Sequence, residues 1–122
     1  MSSLPPSVLK NRPILVVDDE AEVREILAET LEDFGYAVLT AASGEEALPV
    51  LARDGGVSMV ITDVRMPGMS GLELAEEVRQ RWPGVKVVLI SGYFVPPQAP
   101  QRFLKKPFHI KELASLVRAE LG

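Results

Sequence analysis

Three short runs are almost wholly apolar: Ile14 to Val17, Val57 to Thr62 (apart from Ser58 and the closing Thr62), and Lys86 to Ile90 after its first residue. Runs of this length are too short for a buried helix and lack the alternation of a strand with one wet face. A strand that is apolar on both faces must be covered on both faces, which points to a parallel sheet with helices above and below it. Two weaker strand candidates, Tyr36 to Thr40 and Phe103 to Lys105, complete the set.

The segments between them carry a helical period. Val23, Ile26, Leu27, Thr30, Leu31 and Phe34 place an amphipathic helix over Ala21 to Phe34, with Gly35 as its stop. Ser43 followed by Glu46, and Ser70 followed by Glu73, have the spacing of capping boxes and open two more helices. Pro49 lies inside the first of these and predicts a kink or a short helix. The second ends near Trp82-Pro83-Gly84. Ile110, Leu113, Leu116, Val117 and Leu121 are spaced for a last helix. Strands alternating with helices in this order predict an α/β fold, an open doubly wound sheet of five parallel strands. A closed eight-fold barrel needs ~250 residues, against 122 here.

Residues 1–12, rich in Ser, Pro, Lys and Asn, read as an arm or linker, and 13–122 as one domain. The chain has no cysteine, which excludes disulfides and thiolate metal sites. A net charge of −4 argues against a broad nucleic-acid footprint. No run approaches the ~20 apolar residues that span a membrane, and the N-terminus lacks the pattern of a secretory signal. The expectation is a cytoplasmic domain with no direct nucleic-acid or membrane partner.

In a parallel sheet all C-terminal strand ends open on one edge, where such folds bind ligands. Asp18-Asp19-Glu20 follows the first strand, Asp63 the third, Ser91 the fourth and Lys106 the fifth. Each has an ordinary explanation. An acid after a strand caps the next helix or starts a turn, a serine makes a local turn, and a lysine snorkels. His109, without a partner in ligand spacing, reads as a surface residue at a helix start. Together the strand-end groups say more. Carboxylates gathered at one rim repel one another unless a cation lies between them, and an all-oxygen set with waters suits Mg²⁺. With a lysine and a hydroxyl nearby, such a rim can stabilise a phosphoryl group. A carboxylate can also attack phosphorus and form an acyl phosphate, so Asp63 is a candidate nucleophile.

VVDDE at 16–20, TDVRMPGMSGLEL at 62–74, ISG at 90–92 and KPF at 106–108 resemble, in order, the four signatures of the receiver domain of two-component response regulators. The resemblance covers Ile14 to Gly122 and implies the CheY-like, flavodoxin-like strand order 2-1-3-4-5. It implies that Asp63 accepts the phosphoryl group and that Asp18 and Asp19 bind Mg²⁺, directly or through water. The backbone carbonyl of Arg65 would be a further ligand. Ser91 takes the family's hydroxyl position, Lys106 pairs with the phosphoryl group, and Phe103 is the aromatic switch that turns inward on activation. Arg65 and Tyr93 occupy positions that tune loss of the phosphoryl group, and the Lys106-Pro107 bond is often cis. The chain departs from the family between Ser91 and Phe103. There the family has a helix and this chain has a shorter segment with three prolines, so that helix is predicted to be short or missing.

The implied function is a phosphoacceptor, self-modifying rather than an enzyme with turnover. Its partners would be a histidine kinase or histidine phosphotransfer protein upstream and an effector protein or output domain downstream. A receiver within a hybrid sensor histidine kinase keeps the same site, and an unphosphorylated interaction module keeps only the fold. An aspartyl phosphatase normally carries a second acid two residues after its nucleophile, where Arg65 stands. A flavodoxin-type module needs a phosphate-cradling loop after the first strand, where the acids stand.

Overall fold

The structure, a computed structural model, describes residues 12–53, 56–92 and 102–121. The chain runs β1 (Ile14–Val17), α1 (Ala21–Asp33), β2 (Val38–Ala41), α2 (Gly44–Ala52), β3 (Met59–Asp63), α3 (Gly71–Arg81), β4 (Lys86–Ser91), β5 (Arg102–Lys105) and α4 (Ile110–Leu121). The five strands are parallel and ordered 2-1-3-4-5, as expected. Alternate residues of the central strands point to opposite faces and build two separate cores. Ile14, Val16, Met59 and Ile61 pack with Leu27 and Leu31 of α1 and Leu113 and Val117 of α4. Leu15, Val17 and Val60 pack with Ala47 and Leu51 of α2 and Leu74 and Val78 of α3. Strands apolar at every position therefore serve two layers at once.

The element ends differ from the sequence expectation where capping chemistry decides them. Helix α1 stops at Asp33, with Phe34 as its cap. Gly35 takes φ +96°, its N–H donates to Glu32 O, and the Tyr36 N–H donates to Leu31 O at 3.1 Å. That is a Schellman stop, with Tyr36 and Leu31 sharing one core. Tyr36 thus belongs to the helix terminus, and β2 starts two residues later than the apolar run suggests. Ile26 and Phe34, counted on the apolar face of α1, are exposed, because only the Leu27–Leu31 line meets the sheet. Helix α2 is short, nine residues with Pro49 inside. Ser70 and Glu73 form the full capping box of α3. The predicted short or missing helix between Ser91 and Phe103 lies outside the described residues, as does nearly all of the N-terminal arm. Among the described residues no helix is long and apolar enough to cross a membrane.

Candidate functional site

Backbone hydrogen bonds continue past the C-terminal strand ends, from β1 to β2, from β3 to β4 and from β5 to β4. The Asp18 N–H donates to Ala41 O at 3.2 Å, Val64 N–H to Ile90 O at 3.0 Å, and Lys106 N–H to Ser91 O at 2.8 Å. Side chains that are distant in sequence are thereby held at one rim.

Asp63 sits at its centre and is buried. Its Oδ1 accepts the backbone N–H of Arg65 at 3.0 Å, closing a tight turn, and its Oδ2 accepts the Lys106 ammonium at 2.9 Å. The next turn leaves no room for a side chain: a Cβ on Gly71 would lie 2.2 Å from the Asp63 carbonyl oxygen. Glycine is needed there for close backbone approach. The loop is anchored further out by Glu45, at the start of α2, whose Oε2 accepts the Met69 N–H at 3.0 Å.

Asp18 is still more enclosed, 1% exposed. Its Oδ1 accepts the Glu20 N–H at 2.8 Å, and its other carboxyl oxygen accepts no hydrogen bond among the described residues. Burial pushes the Asp18 pKa up. The Glu20 N–H opposes this, Asp63 adds to it, Lys106 opposes it and Asp19 adds again, leaving a net rise. Burial works against the Lys106 ammonium, but its bond to Asp63 and the charges of Asp63, Asp18 and Glu20 outweigh that and raise its pKa. Asp19 lies at the exposed lip. Ser91, 1% exposed, ends β4 beside Lys105 in the ladder. Phe103 is 49% exposed on β5, level with Leu89. Arg65 is exposed, Tyr93 lies outside the described residues, and Lys106-Pro107 is cis.

The structure therefore brings Asp18, Asp63 and Lys106 together, with Ser91 at the neighbouring strand end. Asp63 turns to Lys106 and Asp19 lies at the lip, so among the described residues no three acidic side chains are clustered closely enough to hold an ion by themselves. The donor set still fits Mg²⁺, which commonly takes one or two carboxylates and fills its octahedron with water and carbonyl oxygens. A buried carboxyl oxygen with no donor is a position a cation would satisfy. Sequence reasoning missed Arg24 and Glu45, which carry no motif, and gave Gly71 only a turn role.

Residues 14–118 match the response regulator receiver domain. The chain belongs to that family. The receiver domain is 40% identical to sensor kinase CckA of Brucella abortus over 116 residues, 88% of this chain and 12% of the kinase. It is 39% identical to the transcriptional regulatory protein FixJ of Azorhizobium caulinodans over 121 residues, 90% of this chain and 55% of the regulator. It thus spans only part of these curated relatives. Among solved structures, the receiver domain of the hybrid histidine kinase CckA aligns with TM-score 0.80 at 40% identity, covering 90% of this chain and 99% of that one. The response regulator TrrA of Thermotoga maritima, in complex with Mg²⁺-BeF, aligns with TM-score 0.80 at 38% identity and the same coverage. The chain is a receiver domain of two-component systems with the CheY-like fold.

Proposed function

We propose that this receiver domain takes a phosphoryl group from a phosphohistidine onto Asp63 and signals through the β4 and β5 ends. The observation that carries the reading is the 2.9 Å pair between Asp63 Oδ2 and the Lys106 ammonium beside the buried Asp18. An Asp63 carboxylate oxygen attacks phosphorus, the P–N bond breaks, and the electron pair leaves with the donor imidazole. Attack converts the Asp63 carboxylate to a neutral acyl group, so the negative charge that Lys106 neutralises moves to the phosphoryl oxygens. Lys106 follows it by a shift of its donor bond. The Ser91 hydroxyl donates to the same oxygens, and Phe103 turns inward as the β4 end tightens. Asp18, Asp63 and the Arg65 carbonyl would hold Mg²⁺, with Asp19 acting through water. When bound, the ion supplies positive charge to the transferring oxygens.

The donor is a histidine kinase or histidine phosphotransfer protein in the cytoplasm, and the signal passes to an effector protein or output domain. An apolar groove of about 560 Å³ between α1 and α4 includes Lys106 in its wall together with Val23, Ile26 and Ile110. A protein presenting phosphohistidine to Asp63 covers this groove as it docks. The identity to the CckA receiver supports a second context, in which the same site serves a hybrid sensor kinase. Incubation with acetyl phosphate and Mg²⁺ should add one phosphoryl group by intact mass in the wild type and none in Asp63→Asn. No addition to the wild type would leave the interaction-module reading in its place.

A further inference from the structure

Arg24 is the fourth residue of α1, close to the helix N-terminus, where the helix dipole disfavours a cation. Its side chain reaches back over that end, and Nη1 donates to the Asp18 carbonyl oxygen at 2.7 Å. The bond is short and charge-assisted, and such bonds are about twice as strong as neutral ones. Asp18 is fixed at three points: its N–H by the β2 end, its Oδ1 by the Glu20 N–H and its carbonyl by Arg24. The first is a strand contact and the second a local turn. Only the third comes from a long side chain, and it alone grips the peptide joining Asp18 to Asp19.

We infer that Arg24 is a positioning residue for the cation site, locking the Asp18–Asp19 peptide plane so that the buried Asp18 carboxylate faces Mg²⁺ and Asp19 stays at the lip in fixed relation to it. The inference rests on the proposed function of this rim. Without the guanidinium the peptide can rotate, and the ion must then order the loop as it binds, which costs affinity. Second-layer groups of this kind change metal affinity by about 10–100-fold.

The test is calorimetric titration of the full chain with MgCl₂, comparing wild type, Arg24→Ala and Arg24→Lys. Thermal unfolding in EDTA reports on folding, and acetyl phosphate uptake by the wild type is measured alongside. Arg24→Ala should raise the Mg²⁺ dissociation constant about tenfold while unfolding as cooperatively as wild type. Arg24→Lys, which can still donate to the carbonyl, should recover most of the loss. Equal Mg²⁺ affinity in all three chains, with the wild type still accepting the phosphoryl group, overturns the Arg24 role and leaves the proposed function standing. Weakened binding in both variants alike also overturns it, since charge delocalisation rather than the carbonyl bond would then be at work. A wild type that neither binds Mg²⁺ nor accepts the phosphoryl group overturns both.

Discussion

The ends of β1 and β3 carry the same side chain in opposite circumstances. Asp63 has a donor on each carboxylate oxygen, one of them a full cation. Asp18, on the adjacent strand and more deeply buried, has a single backbone donor, and its pKa is raised chiefly by burial. One carboxylate is compensated by the protein itself and the other is held in deficit. A deficit of this kind suits an external cation. The carboxylate beside it has a donor on each oxygen, and under the proposed function its lysine is already in place to receive the phosphoryl oxygens. Under the proposed function the two strand ends divide the work, β1 recruiting the ion and β3 doing the covalent chemistry.

Removing the lysine makes the two ends alike and should have the largest effect. Lys106→Ala leaves Asp63 without its cation, and phosphoryl uptake from acetyl phosphate should slow by about 10²–10³-fold, the range seen when one charge-stabilising donor is lost. Uptake within a factor of two of wild type would break the comparison.

Gly71→Ala attacks the β3 end alone. The added methyl meets the Asp63 carbonyl, so the turn must shift, at a cost of about 3 kcal/mol. Urea unfolding should show this loss, whereas a neutral outcome would mean that the turn is not tightly packed.

Asp18→Asn sharpens the comparison from the other side. The raised pKa of Asp18 means that the folded domain holds the protonated carboxyl more readily than the unfolded chain. Its contribution is therefore favourable below the ordinary Asp pKa of about 3.9 and is lost as pH rises through the raised value. At neutral pH the ionised group costs stability. The metal-free Asp18→Asn chain should melt above wild type at pH 7, with Mg²⁺ affinity weakened about tenfold or more. The smallest signature is in the pH dependence. The melting advantage of the variant should shrink on acidification through the carboxylate range. An advantage independent of pH would point to packing rather than charge.

Much of this division was legible in the chain, for a physical reason. Strands apolar at every residue, such as ILVV at 14–17, specify burial on both faces and so the parallel sheet. The polar residue that interrupts each run, Asp18, Asp63, Ser91 or Lys106, must then emerge at one edge. The partition within the rim was not legible. Whether Asp18 or Asp63 receives Lys106 depends on the path of the 106–108 turn, which no local pattern encodes. The resemblance pairs Asp19 with Asp18, and the structure places them at different depths, Asp18 buried in the rim and Asp19 at its exposed lip. Arg24 carries no motif, and only its reach across the helix start reveals its partner. Tyr36 was read by its β propensity and was claimed by the α1 cap.

The central claim, that the compensated carboxylate is the one that reacts, is tested most directly by locating the modification. The wild-type chain is treated with acetyl phosphate and Mg²⁺, reduced with borohydride to convert any acyl phosphate to the alcohol, and mapped by peptide mass spectrometry. Reduction at position 63 alone is the predicted result; a reduced residue at position 18 or 19, or none at 63, would contradict it.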